Sequence, residues 1–227
     1  MMTKSTEQYI TTLRYLLHMP TDSSVIAYEW LGANIAFAPE PLDCIAHKYV
    51  EHELDWYKSQ DLCIIGHPGI ENNSIWERIS TEKGMVNSNY GWCIYSKDNF
   101  LQFEKACNAI IEDNNTKHAV MIYTRPSINT EWCDGVHAKS DMICTVYTAA
   151  FLRNNKLQYH VHMRSNDAVF GMRNDFMWHL FVQKQMVEYL NKRHVQCVPG
   201  DIHWFADSLH IYKSSISKVQ DLIKTYG

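Results

Sequence analysis

Hydrophobic positions along the chain follow two periods, and the change between them marks out the elements. Tyr9, Ile10, Leu13, Leu16 and Leu17 fall on one face of residues 6–18, predicting an amphipathic helix that ends before Pro20. Residues 25–38, VIAYEWLGANIAFA, are β-branched and aromatic around Gly32, which predicts a strand with a bulge or kink, then a loop at Pro39 and Pro41. Residues 43–58 predict a helix capped by Asp43, with Ile45, Tyr49, Leu54 and Trp56 partly buried. Glu53 lies between apolar neighbours there, although a solvated face is the ordinary place for a helix glutamate.

Residues 61–96 lose this periodicity and read as loop and turn, with a density of aromatics (Trp76, Tyr90, Trp92, Tyr95) that fits either core filling or stacking on a flat heterocycle. Residues 98–112 return to helical spacing, with Phe100, Leu101, Phe103, Ala106, Cys107, Ile110 and Ile111 on the buried side. The apolar run AVMIYT at 119–124 predicts a buried central strand, followed by Arg125-Pro126-Ser127 and a polar loop to Lys139. Strands at 142–152 and 156–163 are joined by Arg-Asn-Asn-Lys, a hairpin signal. A helix at 176–191, a strand at 203–212 and a closing helix at 215–226 complete the series. Helices interspersed with antiparallel hairpins predict an α+β fold, a mixed sheet covered by helices in a single domain over 1–227.

Composition narrows the class. At 227 residues and 46% hydrophobic content the chain can bury a full core. A formal charge of -4 supplies no broad basic field, so direct binding of DNA through its phosphates is not expected, while a small anionic ligand remains compatible. The seven cysteines are odd in number and scattered, which fits free thiols in a reducing cytoplasm. The N-terminal stretch is too interrupted by polar residues for a signal or membrane-spanning segment, so no membrane partner is expected. Cys133, His137 and Cys144 lack finger spacing and His160 and His162 have no nearby ligand pair, so no metal site is expected.

Candidate chemistry concentrates in residues 144–178. A cysteine just before a strand, an Arg-Ser-Asn-Asp cluster and a Gly-x-x-Asn-Asp turn bring a nucleophile, a fixed cation and two carboxylates within about thirty residues, the kind of set an active site needs. Taken alone, Cys144 reads as a small buried hydrophobe and Asp175 as the N-cap of the 176–191 helix.

Eight ordered blocks change that reading: HELDWYK at 52–58, IW at 75–76, NSNYGW at 87–92, MIYTRPS at 121–127, the Cys144 strand, MRSND at 163–167, FGMRND at 170–175 and SLHIY at 208–212. Together with spacings of 20, 23 and 31 residues from Cys144 to Arg164, Asp167 and Asp175, they make the chain resemble the thymidylate synthase superfamily over nearly its whole length. Within it the chain is most similar to the deoxycytidylate (dCMP) hydroxymethylases of T-even type phages.

The resemblance implies a role for each matched residue. Cys144 matches the nucleophile that adds to C6 of the pyrimidine, with Arg164 favouring its ionised form. Arg164 and Ser165 match phosphate-holding residues, and Asn166 belongs to the same substrate-binding cluster. His210 and Tyr212 match the pair that contacts the sugar hydroxyl. Trp76, Asp167 and Gly171 match the surroundings of the folate. Glu53 and Tyr90 match groups that order water and move protons. Asp175 stands where dUMP-using relatives carry Asn, and a carboxylate fits the N4 amino group of cytosine. The reaction implied is transfer of a one-carbon unit from 5,10-methylenetetrahydrofolate to C5 of dCMP, with water addition giving 5-hydroxymethyl-dCMP and tetrahydrofolate. The ending at Tyr226-Gly227 resembles the hydroxymethylases and lacks the apolar tail of the synthases.

Two departures qualify the match. Lys117 and His118 stand in place of the Arg-Arg pair that the family donates across a dimer to the phosphate, and the 20–24 loop lacks a basic residue. Arg125 and Arg173 are candidates to compensate, with ordinary structural pairing as the alternative. A homodimer packed sheet to sheet, in the cytoplasm of a host bacterium if phage-encoded, is what the family implies. A dCMP C5-methylase releasing dihydrofolate, or a catalytically silent RNA-binding or scaffold relative, are the alternative readings.

Overall fold

The computed structural model describes residues 2–133 and 141–227. Its centre is a six-stranded mixed sheet: β1 (Ile26–Phe37), β6 (Val198–Tyr212), β4 (Lys156–Met163), β3 (Thr145–Arg153) and β2 (Val120–Ile122) lie side by side in that order, and β5 (Asn166–Asp167) pairs with β6 off this path. The pairs β1/β6, β2/β3 and β3/β4 are antiparallel, while β4/β6 and β5/β6 are parallel. A parallel pair needs a crossover, and α7 (Gly171–Asn191) provides it between β4 and β6. α7 is fastened to the sheet by Gln183, whose Nε2 donates to Leu157 O and Gly200 O at 2.8 Å each. Phe176, Trp178, Leu180, Val182 and Met186 of this helix share one buried core with Tyr159, Val161, Ile202 and Trp204 of the sheet. α1 (Lys4–Leu16) and α8 (Ile216–Tyr226) lie together beside β1.

Several elements depart from the sequence reading. Asp43 does not cap the helix that follows: α2 (His47–Ser59) begins at an uncapped Ala46. Asp43 Oδ2 instead accepts from Thr3 N at 2.8 Å and Thr3 Oγ1 at 3.1 Å, bracing the start of α1 forty positions away. Residues 61–96 hold two one-turn helices, α3 (Ser74–Ile79) and α4 (Tyr90–Tyr95), each capped by an asparagine side chain, Asn73 and Asn89. The next helix, α5 (Gln102–Glu112), starts four residues late, because Phe100 and Leu101 take positive φ values of 63° and 52°. Phe100 is therefore exposed and not on the buried side.

β2 is an edge strand, not a central one, and Val120 and Ile122 face outward around a buried Met121. Gly32 has the positive φ, 69°, that a kink requires, but the register shift of β1 lies between Ile26 and Tyr28. The Arg-Asn-Asn-Lys turn is as expected, with Asn154 and Asn155 both at positive φ. Part of the predicted loop after Ser127 is a short helix, α6 (Ile128–Cys133), and its remainder to Lys139, with His137, lies outside the described residues.

Candidate active site

The spacing between Cys144 and Arg164 is that of a hairpin. Thr145 pairs with Met163 across β3 and β4, so the residues just outside the pair are neighbours, and Arg164 N donates to Cys144 O at 2.9 Å. The guanidinium folds back over the same corner. Its Nε donates to Ile143 O at 3.0 Å, and its Nη2 donates to Met142 O at 2.6 Å and stands 3.6 Å from the Cys144 sulfur. Burial pushes the Cys144 thiol up to about 11; Arg164 pulls it down, and the charges of Asp175 and Asp141 push it further up. Arg164 thus acts in the expected direction, but desolvation outweighs it and the resting group is a thiol.

Asp175 is not a helix cap. α7 starts at Gly171, which leaves Asp175 one turn inside with its carboxyl facing the cysteine corner. Asn166 Nδ2 donates to Asp175 Oδ2 at 2.8 Å and Asn166 Oδ1 accepts from Trp204 Nε1 at 3.2 Å, so both ends of this buried amide are engaged. Burial raises Asp175 to about 7, the hydrogen bonds from Asn166 and Tyr90 oppose the rise, and the charge of Asp167 adds to it.

Two helices bring the proton-handling groups from the other side. Glu53 of α2 is only 6% exposed, against the ordinary expectation for a helix glutamate. Burial raises it to about 8, with Asp175 contributing and the Tyr49 hydroxyl opposing. That hydroxyl, one helical turn earlier, donates to Glu53 Oε1 at 2.7 Å and accepts from Trp76 Nε1 at 2.8 Å, which fixes its direction. Tyr90, the first residue of α4, stacks on Tyr57 at 5.2 Å between ring centroids. Its own hydroxyl is pushed well up by burial and by the charges of Asp175 and Cys144. Cys144, Asp175, Glu53 and Tyr90 therefore converge on one cluster.

His210 and Tyr212 of β6 follow one side of this cluster. Leu209 and His210 register with Asn166 and Asp167 of β5, and the rings of His210 and Tyr212 sit 4.9 Å apart. Burial raises Tyr212, as do the charges of Asp167 and Cys144, while Arg78 of α3 and Arg164 lower it. Asp167 Oδ1 accepts from Val169 N at 2.8 Å, and burial raises its carboxyl. Ser165 is half-buried beside Arg164. Gly171 lies between the two acids, where an added Cβ would meet Asp167 Cβ and Asp175 Oδ2 at an ordinary contact distance of 3.6 Å each. Trp76 is part of the wall, 7% exposed and edge-on to Trp56.

The remaining sequence candidates lie elsewhere. Lys117 and His118 are exposed ahead of β2, at the end of the sheet away from Cys144, and do not join the cluster of their own chain. Arg125 and Arg173 are engaged in pairing within the fold. Arg125 is forked onto Glu131, reaches Asn87 Oδ1 at 3.2 Å and lies over Trp92. Arg173 donates to the carbonyls of Val169 and Cys44. Among the described residues no group of three or more His, Cys, Asp or Glu is placed to hold a metal, and none of the described helices is long and apolar enough to cross a membrane.

Tyr49, Tyr57, Arg78 and Asp141 were missed in the sequence. Tyr49 alone carried a signal, its position four residues before Glu53 on one helix face. Asp141 accepts from Asn87 N and Ser88 N at 2.7 Å each, tying the segment before Cys144 to the segment before α4.

Known proteins resemble this chain over most of its length. The family model described as thymidylate synthase matches residues 7–226. The deoxycytidylate 5-hydroxymethyltransferases of Enterobacteria phages T4 and T6 are each 36% identical over 207 residues, covering 89% of this chain and 82% of theirs. The protein of the same name from Enterobacteria phage T2 is 37% identical over 194 residues, covering 84% and 77%.

Proposed function

Since this chain belongs to the thymidylate synthase family, we propose that it is a deoxycytidylate 5-hydroxymethyltransferase, building 5-hydroxymethyl-dCMP from dCMP and 5,10-methylenetetrahydrofolate. The observation that carries this reading is Asp175, an acid in place of the amide that suits uracil, raised to about 7 and aimed at the cysteine corner by Asn166. Its ionised carboxyl accepts from the N4 amino group of cytosine and favours a proton on N3, which makes C6 more electrophilic.

Cys144 adds to C6 and turns C5 into an enamine-like carbon. Because burial pushes the Cys144 thiol up to about 11, its proton must pass to water or an ionised carboxylate of the cluster as the C–S bond forms. Methylenetetrahydrofolate supplies a carbon at the oxidation level of formaldehyde, so water finishes the reaction where a thymidylate synthase uses hydride. Trp76, Asp167 and Gly171 are the residues that the resemblance assigns to that co-substrate. Glu53 suits the hydration step. Tyr49 donates to Oε1, so Oε2 is the oxygen left for the pocket, where an ionised Glu53 orders water and takes the proton that the attacking water gives up. Tyr90 donates to Asp175 and fixes its orientation. Arg164 and Ser165 take the phosphate and His210 and Tyr212 the sugar.

The second part of the reading is a homodimer. Tyr147, His160, His162, His203 and Phe205 project from the sheet face opposite α7. His162 stacks on Tyr147 at 4.1 Å and on Phe205 at 4.5 Å, a flat aromatic surface suited to a second copy. A partner packed there would bring its Lys117 and His118 toward the phosphate. Phe205→Glu should halve the mass measured by analytical ultracentrifugation at micromolar protein, and an unchanged mass would remove this face from the dimer.

Mass spectrometry of the product formed from dCMP and methylenetetrahydrofolate tests the function in one run. A hydroxymethyl group with tetrahydrofolate is expected in the cytoplasmic nucleotide pool this enzyme would serve. A methyl group with dihydrofolate would make the protein a methylase, and no tritium release from C5 of dCMP or dUMP would make it a binding protein.

A further inference from the structure

A hydrogen-bonded relay stands behind His210 that the chemistry above does not use. Glu29 of β1 lies directly opposite His210 in the antiparallel register. Ser208 lies two positions before His210 and shares its face of β6. Ser208 Oγ donates to Glu29 Oε1 at 2.5 Å and stands 3.1 Å from His210 Nδ1. A hydroxyl has one proton, and a carboxylate can only accept. The Ser208 proton therefore points at Glu29, which leaves Ser208 Oγ as the acceptor for an Nδ1–H of His210.

In the neutral ring a proton on Nδ1 leaves Nε2 with a lone pair. That nitrogen is buried, in a side chain 3% exposed, and has no hydrogen-bond partner among the described residues. The groups that face the ring are Asp167, from β5, whose Oδ1 accepts from the backbone N–H of Val169, and Tyr212, on its own strand. A buried acceptor of fixed direction discriminates, because a ligand without a donor leaves it unmatched.

We propose that Glu29 and Ser208 are positioning residues that lock His210 in its Nδ1–H tautomer, so that Nε2 selects a nucleotide by a sugar hydroxyl that donates to it. This rests on the functional reading above, which puts the deoxyribose at His210. Nothing in a sequence motif points to Glu29, because its partner lies 179 positions away.

The test compares dCMP with 2′,3′-dideoxycytidine monophosphate as substrates, in the wild type, Ser208→Ala and Ser208→Thr, with the His210 tautomer read from ¹⁵N spectra of histidine-labelled protein and assigned with His210→Gln. The wild type should prefer dCMP by kcat/KM on the order of 10²-fold. Ser208→Ala should cut that preference to about tenfold or less, through a higher KM for dCMP, with the dideoxy substrate changed by less than about twofold. Its His210 spectrum should move from the Nδ1–H form to a mixture, and Ser208→Thr should restore both properties. Equal losses on the two nucleotides with an unmoved spectrum, or an unchanged preference, would overturn the relay. If the wild type turns over neither nucleotide, the functional reading fails separately; the spectrum then decides the relay alone, and an Nε2–H tautomer would overturn it.

Discussion

The carboxyl of Asp175 is the group on which base choice turns. With the hydrogen bond from Asn166 retained by either side chain, Asp175→Asn exchanges an acceptor for an amide that serves O4 and N3–H of uracil. It should reverse the preference from dCMP to dUMP, a change in the kcat/KM ratio of at least about 10²-fold, and an unaltered ratio would remove Asp175 from recognition. Glu53 carries a different consequence. Its folded value of about 8 lies above the 4.5 of a free glutamate. Its contribution to stability is therefore fully present below about pH 4.5 and is lost as pH rises through about 8, where the fold must bury a charge. Glu53→Gln keeps an acceptor for Tyr49 and removes that cost. Urea unfolding should find it more stable than the wild type by about 1–3 kcal/mol near pH 9 and no different near pH 4.5, with kcat lowered on the order of 10²-fold. Equal stabilities at both pH values would refute the argument. Cys144, Arg164 and Asp175 stand out in the sequence through the ordered blocks that carry the family resemblance, and one hairpin and one helical turn bring them together. Tyr49's link to Trp76 and the pairing of Arg125 with Glu131 were not legible there, because they depend on how separate segments meet.

At the scale of elements, the cluster depends on how closely α2 and α4 approach. Gly91 lies against α2, where an added Cβ would stand 1.7 Å from Tyr57 O, a contact backbone cannot relieve without moving a helix. Gly91→Ala should push α4 away, displace Tyr90 from Tyr57, and cost on the order of 3 kcal/mol or more by thermal unfolding. A stability within about 0.5 kcal/mol of the wild type would show that α4 can shift freely. Neither α3 nor α4 was visible in the sequence, since six residues complete fewer than two turns and leave no period to detect. β2 was misplaced for a related reason. Val120 and Ile122 form a continuous apolar run with Met121, yet their outward faces are exposed at an edge, and edge position is a property of the sheet order. The long elements, α1, β3, β4 and α7, were legible because each repeats its pattern several times.

Across the fold, two histidines held neutral add to the response to acid. His179 of α7 lies under the sheet with Nε2 3.3 Å from Thr145 Oγ1, and burial holds it down at about 3. Partial burial, with the charges of His203 and His162, also holds His160 on the sheet face opposite α7 at about 4. Both are depressed below the ordinary histidine value, so their contribution is present above about pH 6.5 and is lost as pH falls toward those values. His179→Gln should flatten the fall in unfolding free energy between about pH 6.5 and 4, and an unchanged slope would place the acid sensitivity elsewhere.

The pairing of β1 with β6 has a bearing on biosynthesis. Glu29 and Ser208 are joined across 179 positions of sequence. A ribosome adding about 5–20 residues per second would have β1 waiting roughly 9 to 36 seconds for the strand that pairs with it. Throughout that interval the emerging polypeptide exposes an apolar ribbon with unpaired amides, so its yield in a cell should depend on holding chaperones more than its final stability implies.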